Sequence, residues 1–179
     1  MKKIILASLM VILCTIAFQV QAQQALKPRV SPLAAVTMKN HDSYVKITYG
    51  RPNKRGRELF GTLVPYGKVW RTGANEATEI TLTGDVRVGG KILKAGTYSV
   101  FTVPNEKEWT IIFNNDLGQW GAYDYNENND VLRVTAKVEQ LDQVYEPFTM
   151  EFENKEDGKA NWLIIWDKTK VVIPVEFAW

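Results

Sequence analysis

From Ser43 to the end of the chain, apolar side chains recur at every second position, a period that commits the body of the protein to β-sheet. Val45, Ile47 and Tyr49 share one face, as do Ile80 and Leu82, then Trp109, Ile111 and Phe113. The alternation returns at Leu132, Val134, Ala136 and Val138, and at Phe148, Met150 and Phe152. It closes with Trp162, Ile164 and Trp166, then Val171, Ile173 and Val175. Residues 86–88 and 91–93 flank Gly89-Gly90, a pair suited to the positive φ angles of a tight hairpin. Residues 97–103 add a further strand, and residues 167–169 read as a short turn between the last two. About nine or ten strands result, with turn signals roughly every ten residues. No stretch carries a long apolar stripe of helical period, so little helix is expected. Alternating strands bury one face each, and two such sheets packed together make a single-domain antiparallel β-sandwich, jelly-roll-like; a closed barrel satisfies the same periodicity. With 179 residues, 45% of them hydrophobic and 23% charged, the chain suits one such domain over 33–179 and is neither disordered nor a coiled coil.

The N-terminus follows another rule. Met1, Lys2 and Lys3 precede a mostly apolar run over 4–20, and Val20-Gln21-Ala22 supplies the small or modest side chains of a cleavage point. This is the pattern of a secretory signal peptide over 1–22, cleaved after Ala22. A membrane anchor needs about 20 apolar residues, and this run is shorter and ends in glutamines. Lipidation at Cys14 is disfavoured, because Leu13 stands where a small residue is required and Cys14 lies inside the apolar run. Cleavage removes Lys2, Lys3 and Cys14, leaving 20 basic and 20 acidic side chains, one His and no Cys. The expected mature protein is periplasmic or secreted, formally neutral, held by packing without disulfides, and not stably inserted in a membrane. Neutrality argues against a nucleic-acid partner, and the lone His and absent Cys against a metal or cofactor site. Residues 23–32 are polar with two prolines and read as a flexible lead-in.

Residues 50–78 interrupt the alternation. Arg51, Lys54, Arg55, Arg57, Lys68 and Arg71 stand against only Glu58 and Glu76, a net charge of +4 in a chain whose 124–157 segment nets −7. Long connections in a compact domain are functional or disordered, and Leu59, Phe60, Leu63, Val64, Tyr66, Val69 and Trp70 make this one too apolar for disorder. An ordered loop holding guanidinium forks at fixed positions suits a carboxylate, phosphate or sulfate. Arg51, Arg57 and Arg71 are the expected anion contacts. Lys54 and Lys68 add charge, Asn75 donates hydrogen bonds, and Tyr66 or Trp70 forms an apolar wall. The competing reading has the same cations pairing with carboxylates from the acidic second half, as an internal brace.

Other constellations are thinner. Trp120, Tyr123 and Tyr125 lie beside Asn114, Asn115, Asp116 and Gln119, an arrangement that suits stacked sugar rings but equally a sheet core. The 124–130 run alternates oxygen-bearing side chains, yet Asn129 and Thr135 occupy the places where a calcium loop needs Gly and Glu, so a solvated turn is expected. A glycan hydrolase would have to use Glu76 as base, with His41 or an Arg as electrostatic partner; a neighbouring Arg would keep Glu76 ionised. His41, close to Ser43, shows no nucleophile elbow.

The loop also carries a likeness. Arg51-Pro52, Lys54, Gly56-Arg57, Phe60-Gly61 and the run 63–78, LVPYGKVWRTGANEAT, followed by Ala95-Gly96-Thr97-Tyr98, Trp109 and Trp120-Gly121, resemble the bacterial family catalogued as domain of unknown function 2911. The resemblance covers roughly 31–174. It implies an exported all-β protein of Gram-negative bacteria and supplies no activity and no catalytic residues. Three functions remain open on the sequence: a binding module for a small polar or anionic ligand or sugar, a hydrolase acting on glycans, and a structural envelope protein.

Overall fold

The computed structural model describes residues 27–178; the export signal read over 1–22, the start of the 23–32 lead-in and Trp179 lie outside the described residues. Nine strands form: β1 (Leu33–Asn40), β2 (Ser43–Gly50), β3 (Thr78–Leu82), β4 (Val86–Val88), β5 (Lys91–Leu93), β6 (Gly96–Val103), β7 (Glu108–Asn114), β8 (Asp130–Asn154) and β9 (Lys159–Phe177). They make one antiparallel sheet in the order β1-β2-β3-β6-β7-β8-β9-β4-β5. The only helical turn among the described residues is a three-residue 3₁₀ segment, Glu127–Asn129, in which the Asn128 amide donates to the Asn126 side chain.

The period-two pattern sets the register. Ile47 faces Ile80 across β2 and β3, Val100 faces Phe113 across β6 and β7, and Ile111 faces Val134 across β7 and β8. Apolar side chains therefore meet apolar side chains on one face of the sheet. All nine strands send residues from that face into one interior, from Met38 and Ile47 through Ile80, Val86 and Leu93 to Trp162 and Ile173. A flat sheet could not gather them; this one folds over on itself, and the result is sandwich-like. The long strands make the fold possible. β8 pairs with β7 along its first part and with β9 beyond it, while the end of β9 pairs with β4.

Three details differ from the sequence reading. β1 was not anticipated, because burial alternates along it but its outward-facing Leu33 and Ala35 are as apolar as its inward-facing residues, which hides the period of two in the sequence. The stretches at 132–138 and 148–152 belong to one strand, β8. Residues 167–169 are not a turn: β9 runs through them, kinked at Asp167 with φ 55°. The kink faces a matching irregularity in β8. Between the pairs Gln140↔Thr169 and Tyr145↔Asp167, β8 has four residues where β9 has one. Between Tyr145↔Asp167 and Thr149↔Ile165 it has three against one. Such bulges leave main-chain groups without a ladder partner.

The other face of β6 and β7 is covered as well. Phe101 and Ile112 pack there with Ala77, beneath Val69, Val103, Ala122 and Tyr125. Two non-strand segments, 50–78 and 115–125, thus meet over the centre of the sheet.

Candidate functional site

The 50–78 loop closes one end of the core. Leu59, Val64 and Trp70 are buried, with Phe60 packed against them. The Trp70 ring stacks on Trp166 at 6.0 Å and 11°, and meets Phe148 and Trp109 edge-on at 5.3 and 6.0 Å. This burial explains why a turn-rich segment is so apolar. Main-chain bonds tie the loop to the bulged part of β8: Lys54 N donates to the Glu146 carbonyl at 2.8 Å, and Phe148 N to the Pro52 carbonyl at 2.8 Å. Trp70 exchanges two main-chain bonds with Thr102 in β6, at 2.7 and 2.9 Å.

The turn after Arg71 is held under strain. Thr72 is fully buried and has φ 56°, a conformation that a β-branched residue rarely adopts. Its hydroxyl lies 3.1 Å from that of Thr102, and its carbonyl accepts from the Thr78 hydroxyl at 2.7 Å. At the base of the loop, Gly50 passes directly under the turn. A Cβ on Gly50 would lie 1.9 Å from the Ala74 carbonyl oxygen. Only glycine permits that approach. Asn75, with φ 67°, donates through Nδ2 to the Ser31 carbonyl at 3.4 Å, while its own carbonyl accepts from Gly121 N at 2.9 Å.

A cleft of about 290 Å³ opens above this turn, walled by Asn53, Arg55, Arg57, Arg71, Asn75, Leu63 and the indoles of Trp70 and Trp166, with Val30 and Ser31 on the near side. Three arginines line it and, among the described residues, no Asp or Glu does. Arg57 is fixed by its own loop, its Nε donating to the Lys54 carbonyl at 2.9 Å and Nη2 to the Asn53 carbonyl at 2.7 Å. Arg55 makes a long contact with the Val30 carbonyl at 3.4 Å. The Arg71 side chain has no hydrogen-bond or ion-pair partner among the described residues, and its Nε is buried without an acceptor. Burial lowers the pKa of this guanidinium, an effect the nearby Tyr123 hydroxyl opposes. A buried donor without an acceptor costs about 1–3 kcal/mol, so the site is arranged at a loss in the unliganded chain.

Arg71 also borders a second cleft of about 290 Å³, formed with Lys68, Pro65, Val69, Ala122 and Tyr123. Again no carboxylate lines it.

The remaining sequence candidates lie elsewhere. Arg51 is engaged as a brace, with Nε on the Phe148 carbonyl at 3.2 Å and Nη2 on the Thr149 hydroxyl at 3.1 Å. Lys54 forms a half-buried ion pair with Asp167 at 2.7 Å, across the kink in β9. Tyr66 and Trp120 are exposed and border neither cleft. Glu76 is bonded to Arg29, which holds its carboxyl below the ordinary range. It lines a different hollow with Arg29 and Glu79. His41 sits in the β1–β2 turn, with φ 50°. In the 124–130 turn, Asp130 accepts from Asn114 and from the Tyr125 hydroxyl, each at 2.7 Å. Burial first, then the Asp130 bond, pushes the Tyr125 hydroxyl up to about 12. Among the described residues no group of three or more His, Cys, Asp or Glu is placed to hold a metal ion. No described helix is long and apolar enough to cross a membrane.

Sequence reasoning counted Arg55 among the basic residues without placing it in the site. Its signal was local: φ 53° followed by Gly56 turns the chain so that Arg55 and Arg57 both reach the cleft. Trp166 and the 30–31 segment carried no such signal, since long-range packing alone brings them in.

Fold and cleft together define an all-β domain in which an ordered, cation-bearing loop caps the core and leaves an acid-free hollow at the surface. The family model described as "Protein of unknown function (DUF2911)" matches residues 31–175, and the chain belongs to this family. Neither a curated protein nor a solved structure matches the chain.

Proposed function

We propose that the protein is exported and works as a binding module, holding a small anionic ligand in the cleft between Arg55, Arg57 and Arg71. One observation carries this reading: Arg71, its Nε buried without an acceptor, has no hydrogen-bond or ion-pair partner among the described residues, in a cleft with two further guanidinium groups and no Asp or Glu in its described lining. A planar oxyanion there would accept from several forks at once and offset the burial of Arg71. Asn75 adds an amide beside the same space. A loop serving only as a brace accounts for Arg51 and Lys54, whose donors are engaged, but leaves Arg71 without a role. The Arg29 bond keeps Glu76 ionised, as the base of a glycan hydrolase would be, but Glu76 lies outside the arginine cleft, whose described lining has no carboxyl to serve as acid or base.

Thermal unfolding in the presence of sulfate, phosphate and small carboxylates tests the proposal. An anion at a hundred times its Kd stabilises by about 2.7 kcal/mol, or roughly 5–10 °C in Tm for a domain of this size. Arg71→Lys, which keeps the charge and loses the fork, should cut that shift sharply, as should Arg57→Ala at an exposed position. The unliganded Tm of each variant fixes the baseline. If no anion shifts the wild-type Tm, the reading fails.

A further inference from the structure

The anion reading leaves the second cleft unused. Arg71 stands in the wall common to both hollows, so a group held by its fork in the first lies next to the second. The second cleft adds one ammonium, from Lys68, and one broad ring, from Tyr123, which is 84% exposed. One edge of that ring lies over the Gly121 backbone, where an added Cβ would sit 2.7 Å from the ring edge, and Gly121 N is bonded to the Asn75 carbonyl at 2.9 Å. The ring and the arginine turn therefore share one support. Pro65, Val69 and Ala122 supply an apolar floor beside it. An exposed aromatic face beside a cation and an apolar floor suits a sugar ring that stacks its apolar C–H face and bears a negative substituent. A lone inorganic anion would leave this half empty.

Resting on the anion-binding reading above, we propose that the ligand is an acidic oligosaccharide of at least two sugar units. The anionic group of one unit sits on Arg55, Arg57 and Arg71; the ring of the next stacks on Tyr123, with its charge beside Lys68. The shared chemistry is an anion-bearing sugar ring, and the charge could be carboxylate or sulfate.

Isothermal titration of the mature protein separates the outcomes. The probes are trigalacturonic acid, a carrageenan-derived sulfated tetrasaccharide that carries no carboxylate, monomeric galacturonate, neutral cellotriose, a thymidine trinucleotide and inorganic sulfate. At least one acidic oligosaccharide should bind about tenfold or more tighter than galacturonate, the worth of one added stacking contact with its charge, and cellotriose should not bind measurably. Which of the two acidic oligosaccharides wins identifies the charged group. Tyr123→Ala and Lys68→Ala, both at exposed positions, should bring the ratio of oligosaccharide to galacturonate affinity down toward one. If oligomer and monomer bind equally and Tyr123→Ala changes nothing, the oligosaccharide proposal is wrong while the anion site stands. Tighter binding of the trinucleotide also overturns it. Absence of binding by every anion, sulfate included, overturns both readings.

Discussion

Replacing Gly50 by alanine probes the foundation of the arginine turn. The added Cβ would fall 1.9 Å from the Ala74 carbonyl oxygen, 2.8 Å from its carbonyl carbon and 3.2 Å from its nitrogen. All three are main-chain atoms, so no side-chain rotation relieves the clash. Overpacking of a close-packed site costs typically about 1–3 kcal/mol, and a rigid backbone partner places this case at the upper end, about 3 kcal/mol or more. For a domain of this length that corresponds to a fall in Tm of roughly 6–12 °C. Gly90→Ala, in the β4–β5 hairpin away from the cleft, is the matched control. Its φ is 86° and an added Cβ meets nothing within 4 Å, so only the left-handed backbone is penalised, by about 1–2 kcal/mol. Urea unfolding of both variants, with anion-induced Tm shifts measured on the folded protein, reads stability and site together. Gly50→Ala should lose both stability and the anion response; Gly90→Ala should lose the smaller amount of stability only. A Gly50→Ala protein as stable as wild type would refute the close approach of Gly50 to the 72–75 turn, and with it the claim that this contact positions Arg71.

Other outcomes follow from single contacts. The Tyr49 hydroxyl accepts from Met150 N at 3.0 Å in the interior, so Tyr49→Phe should cost about 1–3 kcal/mol in urea unfolding by stranding a buried amide. The Glu76 carboxyl has a folded pKa below its unfolded value, because it is bonded to Arg29. Its contribution is therefore present above about pH 4.3 and lost as pH falls through the lower folded value. The pair is well exposed, so the effect is small: the Tm difference between wild type and Glu76→Gln should be modest at neutral pH and vanish in acid.

Much of the sheet was legible because burial on one face writes itself into the sequence at every second residue. Ile47, Ile111 and Ile173 could be placed inward before any coordinates. β1 escaped because its outward residues are apolar too: Leu33 at its start is exposed, and the alternation is blurred. The merging of strands into β8 and β9 escaped for a different reason. A kink such as Asp167 and a turn such as 167–169 have the same composition, and only the pairing partner distinguishes them. In the loop, sequence identified a concentration of cations but could not sort them. Arg51 and Lys54 became braces because the bulged β8 and the kink at Asp167 happen to present acceptors to them. Arg71 has no partner among the described residues, because no described Asp or Glu lines either cleft that it borders.

The irregular stretch of the β8–β9 hairpin has a consequence for engineering. Two of its unladdered carbonyls help to anchor the loop, with Glu146 accepting from Lys54 N and Phe148 from Arg51, while the Asp167 carboxylate of β9 pairs with Lys54. Trimming the surplus residues of β8 to obtain a regular ribbon would raise the number of rungs while removing the Glu146 and Phe148 moorings. A consensus-minded redesign would thus yield a sturdier hairpin and a loop held on that side by the Lys54–Asp167 pair alone.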